Sequence, residues 1–210
     1  MALAHAEMID HFVQQCNECQ VNRLARAKCS YTAWNDQSLA TKAKRFLQQN
    51  GDTVSVLIVN PSAEGGMPHT RAPSLICLPA YFPEERLEST LKHELVHISQ
   101  RRNPSLWRSR ARQEGWEPVD ASEIPQNWLA RCRLNPDTAG ARFFAWQGRH
   151  VPLPLFIRED KPDLRDVQVR WYDRTEGIVK SGVPTSFTQT YGHLGISSLE
   201  HPYELWAYHA

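Results

Sequence analysis

The sequence predicts an α+β fold, and three observations carry that expectation. The 14 prolines concentrate after residue 60, so uninterrupted helix belongs to the first part of the chain and loops with short strands to the rest. Two β-branched, apolar runs, 53–60 (TVSVLIVN) and 74–78 (SLICL), read as buried strands. After Pro83 an acidic start and a basic finish, Glu84 to Arg101, mark a further helix aligned with its own dipole. The 210 residues, 41% hydrophobic and 22% charged, exclude a wholly disordered chain and a coiled coil. A chain this long buries roughly 70% of its unfolded surface and needs no disulfide staple. Its five cysteines are an odd count, which excludes a fully paired disulfide framework. Residues 1–210 read as one domain.

The elements follow in order. Residues 2–29 read as one helix, because Met8, Phe12, Cys16, Cys19 and Leu24 recur at helical steps with no Gly or Pro between them. A second helix spans 36–49, with Leu39, Ala43, Phe46 and Leu47 as its apolar face and Gly51 suited to a left-handed cap. Residues 62–73 read as a loop between the two strands. The helix from Glu84 ends at Asn103-Pro104. Further on, the sequence predicts a short helix over 126–133, a turn at 135–138, and strands at 142–147 and 167–172. A hairpin leads from the second of these strands into 178–180. A final helix begins near His201 with Pro202 in its first turn.

Residues 93–97 read His-Glu-Leu-Val-His, inside the helix assigned on other grounds. Four residues advance about 6 Å and turn about 400°, so both imidazoles leave one face of the helix, one above the other. That spacing suits two nitrogens on one tetrahedral Zn²⁺. Glu94 stands about 100° around the helix, badly placed to bind the same ion but able to reach a water beside it. Leu95, Val96 and Ile98 are apolar, as a dry site requires. The plain alternative is a surface helix that happens to carry a Glu and two His.

The strand SLICL, the helix with H-E-L-V-H and the following Ile98-Ser99-Gln100-Arg101 resemble the zincin metallopeptidases. Metzincins carry a Gly three residues and a His six residues after the second motif His. Here those positions are Gln100 and Asn103, which leaves the gluzincin pattern with a Glu as third ligand. His201-Pro202-Tyr203-Glu204 resembles the H-P-x-E segment of small metallopeptidases from microbes and viruses. The resemblance implies a zincin-like fold with N-terminal helices, a small mixed sheet beside the active helix, and a C-terminal helix that supplies the third ligand. It implies Zn²⁺ as cofactor, held by His93, His97 and Glu204. Hydrolysis of a peptide or protein substrate would use a zinc-bound water activated by Glu94. Glu117, Glu200 and His201 stay open as alternatives to Glu204. Tyr191, His193 or Tyr203 would supply an oxyanion donor. The sheet containing 53–60 and 74–78 would hold peptide main chain. Two other functions compete. One is a zinc amidase acting on a non-peptide amide. The other is a zincin-fold module that binds peptide or nucleic acid without catalysis.

Weaker signals weigh less. His11, Cys16, Cys19 and Cys29 have metal-ligand chemistry, but a continuous helix would spread them over about 27 Å. The same cysteines suit core packing. Arg101, Arg102, Arg108, Arg110 and Arg112, interleaved with Trp107 and Trp116, resemble a single-strand nucleic-acid stripe. Glu114, Glu117, Asp120 and Glu123 follow at once, so a solvated, charge-balanced face is expected instead. The net charge of +1 also argues against a nucleic-acid scaffold. No apolar run approaches the roughly 20 residues of a membrane span. Glu7 and Asp10 stand where a signal peptide carries basic residues, so the expected location is cytoplasmic.

Overall fold

The N-terminal segment shows how local chemistry overrides periodicity in this chain. A computed structural model describes residues 2–192 and 200–209. The expected helix over 2–29 is three helices: α1 (Ala2–Asp10), α2 (Phe12–Glu18) and α3 (Gln20–Ala25). His11 takes φ 50° and Cys19 is extended. The break at His11 has a cause in side-chain capping rather than in Gly or Pro. Glu7 accepts the amides of Val13 and Gln14 at 3.0 Å each, and Asp10 accepts that of Phe12 at 3.2 Å. The buried Arg71 guanidinium holds both carboxylates, at 2.6 Å from Glu7 and 2.7 Å from Asp10. These carboxylates serve the amides that a helix start leaves unpaired.

α4 (Gln37–Gln49) starts at Asp36, whose carboxylate accepts the Leu39 amide at 3.0 Å, and Gly51 follows at φ 73°. Strands β1 (Ser55–Val59), β2 (His69–Arg71) and β3 (Leu75–Pro79) form a mixed sheet in the order β1-β3-β2, with β1 parallel and β2 antiparallel to β3. β2 lies inside the segment expected as loop. Three polar residues give too short a pattern to read as a strand. α5 (Leu87–Arg102) packs on this sheet, and its Leu91 and Ile98 share a core with Leu39, Leu47, Ile58, Ile76 and Leu78. Pro104 ends α5 and also opens α6 (Pro104–Gln113), since a proline suits the first turn of a helix.

The second half holds an antiparallel sheet in the order β4-β5-β6-β7-β8. Its strands are β4 (Trp116–Pro118), β5 (Phe144–Trp146), β6 (His150–Phe156), β7 (Val167–Asp173) and β8 (Ile178–Lys180). Short helices α7 (Gln126–Leu129), α8 (Thr185–Tyr191) and α9 (Pro202–Ala207) surround it. β6 is a strand beyond those expected, and it holds Pro152 and Pro154. The ladder shows how they fit. Pro154 O accepts from Arg133 N at 2.7 Å and Phe156 N donates to Arg131 O at 3.2 Å. The even-numbered residues of β6 therefore turn their main chain away from β7. Leu153 and Leu155 make the bonds to Arg170 and Gln168, and the prolines remove no donor from that ladder.

An aromatic cluster of Trp116, Phe144, Trp146, Trp171, Phe187, Tyr203 and Trp206 ties this sheet to α8 and α9. It also fixes where α9 meets α5. The chain is thus an α+β fold with two small sheets, α5 on the first and α9 carried by the second. Among the described residues no helix is long and apolar enough to cross a membrane.

Candidate metal centre

The two histidines of α5 sit one turn apart, with their Nε2 atoms 3.0 Å from each other. α9 crosses at this level. Its Glu204 places Oε2 3.5 Å from each of those nitrogens. A tetrahedral Zn²⁺ with bonds of about 2.0–2.1 Å separates its ligand atoms by about 3.3–3.4 Å. The three edges of this triangle fit that figure. Among the described residues, His93, His97 and Glu204 are the one group of three or more His, Cys, Asp or Glu side chains gathered closely enough to share an ion.

Two of the three donors, His97 and Glu204, are aimed by neighbours. Gln100 lies one helical turn beyond His97 and donates Nε2 to Tyr203 O at 3.0 Å, which leaves its Oε1 facing His97 Nδ1 at 2.8 Å. That oxygen only accepts, so Nδ1 carries a hydrogen and Nε2 is the nitrogen turned to Glu204, free to bind an ion in place of a proton. Asn135 Nδ2 holds Glu204 Oε1 at 2.9 Å and leaves Oε2 for the imidazoles. Burial opposes charge on both partners, yet Glu204 and Asp137 lift the His97 pKa to about 10. In return His97 and His93 hold the Glu204 carboxyl well below the usual carboxylate range. The field at the triangle favours a cation.

Glu94 is buried, and its Oε2 has no hydrogen-bond partner. Burial and the nearby charge of Asp137 push its pKa well above the ordinary value, against the pull of His97 and Arg101. A cleft of about 1200 Å³ opens over the group, with His93, Glu94, Asp137, Glu204 and Trp171 among its walls. Lys92, beside the motif, is exposed.

The other expected site residues do not join the ligand group, although Glu200 lines the same cleft. Glu117 lies on β4, opposite Ala145 and exposed, and is not part of the group. Glu200 gives both oxygens to Arg133 Nη2, at 2.6 and 2.8 Å. His201 caps α9: Nδ1 accepts the Tyr203 amide at 3.0 Å and Nε2 donates to Ala141 O at 2.6 Å. Tyr191 donates its hydroxyl to Glu114 Oε2 at 3.0 Å, and Tyr203 is buried among Phe144, Trp107 and Trp206. Neither lines the cleft, which corrects both as oxyanion donors. His193 lies outside the described residues. Tyr208, which no sequence motif singles out, lines the cleft with its ring 4.7 Å from that of His93. Cys16 packs against Phe12 and Leu134, and Cys19 Sγ reaches Ala130 O at 3.3 Å. In the basic stretch, Arg101 is taken up by Thr70 and Pro136, Arg110 by Glu114, and Trp116 is fully buried.

The cap carries a pH dependence. Burial drives the His201 pKa from 6.5 down to about 4. The folded pKa is below the unfolded one, so the unfolded chain binds more protons between these values. The contribution is complete above pH 6.5 and is lost as pH falls toward about 4. Its full size is about 3 kcal/mol at 1.36 kcal/mol per unit. Asn at this position caps without titrating. Thermal unfolding of zinc-free protein should fall more steeply over this range for the parent than for His201→Asn, and equal slopes would exclude His201 as the cause.

No family model, curated protein or solved structure matches the chain, so the chemistry of these residues is what speaks to function.

Proposed function

We propose that this chain is a zinc-dependent metallopeptidase of zincin-like fold that hydrolyses peptide bonds, with Glu94 as general base. The observation that carries this reading is the triangle of His93, His97 and Glu204 at tetrahedral edge lengths, open on one side to a cleft in which Glu94 holds an unpaired carboxylate oxygen. Structural zinc sites are closed by four protein ligands, and catalytic ones keep three with a free position. The two-nitrogen, one-carboxylate donor set suits zinc. When bound, the ion polarises a substrate carbonyl and lowers the pKa of water toward about 7. Glu94 accepts the proton of the attacking water and returns it to the leaving amine. Its buried setting raises its proton affinity, which favours the first of these transfers. Gln100 and Asn135 keep the donor atoms in place between these steps.

Elemental analysis of the purified protein should give one zinc per chain, and the zinc-loaded protein should cleave casein, an unstructured polypeptide. No zinc would overturn the site. Two zincs would reopen the Cys16–Cys19 segment. One zinc without cleavage of casein, but with turnover of a small non-peptide amide, would identify an amidase. One zinc with neither activity would leave a binding module.

A further inference from the structure

We propose that the open outer edge of β7, at Val167 and Val169, holds an extended polypeptide as an added strand. The three-stranded sheet beside α5 does not hold it. The identity of this occupant rests on the peptidase reading, whereas the free edge itself rests on the fold.

The sheet expected to hold substrate offers the cleft no open ladder: β2 is filled along its outer side, and no residue of β1 lines the cleft. β3 lies between β1 and β2. On β2 the outward main-chain groups are those of Thr70. Its N–H donates to Asp137 Oδ1 at 2.6 Å, and its C=O accepts from Arg101 Nη2 at 3.1 Å. On the far side of β1, Ile58 O accepts from Trp34 N at 2.8 Å and Asn60 N donates to Thr32 O at 2.9 Å. An added strand finds no free ladder group at these positions.

β7 is different. Gln168 and Arg170 bond to β6, so Val167, Val169, Trp171 and Asp173 turn their main chain the other way. β8 covers that side only from Trp171 to Asp173, opposite Lys180 to Ile178. Beyond Lys180 the chain leaves the sheet through Gly182 to Pro184, where α8 follows. Among the described residues, the outward N–H and C=O groups of Val167 and Val169 therefore have no ladder partner. These groups face the cleft that contains Glu94. Val167, Gln168 and Val169 all line it, and residues of both parities share one space only at the edge of a sheet. An extended residue laid opposite Val169 would exchange two main-chain hydrogen bonds with it, about 4.8 Å away. Recognition by main chain tolerates many sequences, and the ligand class is an extended, unstructured segment.

The test uses the full chain with Glu94→Gln, which is expected to bind substrate without cutting it, and casein as the probe. Hydrogen exchange should show new protection of the Val167 and Val169 amides when casein is added. Val169→Pro removes a donor that faces away from β6, a position at which sheets accept proline. In the Glu94→Gln background it should weaken casein binding about tenfold. In the parent it should raise KM by the same factor with zinc content unchanged. Unprotected Val167 and Val169 amides, or protection at 69–71 instead, overturn the proposal even if Val169→Pro fails to fold. A parent that cleaves casein while Val169→Pro keeps its KM also overturns it and leaves the peptidase reading intact. A parent that cleaves nothing, with casein still protecting Val167 and Val169, has the opposite meaning: the strand site stands and the peptidase reading falls.

Discussion

Glu94→Gln should keep one zinc per chain and lose peptide hydrolysis by at least about 10²-fold, the usual contribution of a general base. Glu94 follows His93 by one residue and so points about 100° away around the helix. It is not part of the ligand triangle. Gln has the same shape and keeps the side chain's packing, but an amide takes no proton at neutral pH. The substitution also removes a carboxyl that burial and Asp137 disfavour as an anion. The fold should therefore be at least as stable as the parent, and the loss should appear in kcat. Zinc content and casein turnover measured on one preparation separate the cases. A variant that lost zinc along with activity would make Glu94 a ligand and remove the base from the mechanism.

The sequence revealed the local parts of this site and hid the distant ones. His93, Glu94 and His97 lie within five residues, and a helix of known pitch fixes their relation whatever surrounds it. Gln100 was legible by the same rule, at i+3 from His97, but was read only as a departure from a metzincin pattern. Asn135 and Asp137 gave no such signal. They look like any turn, and Asn135 does accept the Asp137 amide at 2.9 Å. Its other end serves Glu204, 69 residues on, and no local pattern encodes that. The fold failed to show itself where side chains outvote propensity. Glu7 and Asp10, gripped by Arg71, break a periodic helix, and two prolines enter β6 because their missing donors face away from β7. In the sheet of 53–60 and 74–78 expected to receive substrate, an unexpected strand, β2, covers 74–78 on one side, and its own outer groups at Thr70 are filled by Asp137 and Arg101, side chains from a turn and a helix that only the folded chain brings there.

The third ligand decides between two zinc architectures, and Glu204→Ala beside Glu117→Ala is the comparison that reads it. Twenty residues separate Glu117 from His97, a spacing that resembles thermolysin-like enzymes. The Glu117 segment gives no helix to face α5: Trp116–Pro118 forms β4. Gly115 supplies φ 87° before the strand, and the Glu117 carboxylate lies over Gly148 on the far sheet. Glu204 has a setting that commits it. His201 caps the helix and Pro202 fills its first position, so Glu204 falls at the third. There its side chain turns to α5 rather than back to its own cap. Ala207, one turn on, is buried and small enough to let the two helices close. Removing Glu204 leaves two imidazoles and frees Asn135, a loss larger than the 10–100-fold typical of a missing outer partner. After dialysis Glu204→Ala should retain little zinc, and Glu117→Ala should retain the parent's one per chain. The reverse pattern would move the ligand to β4 and require this end of the antiparallel sheet to fold against α5.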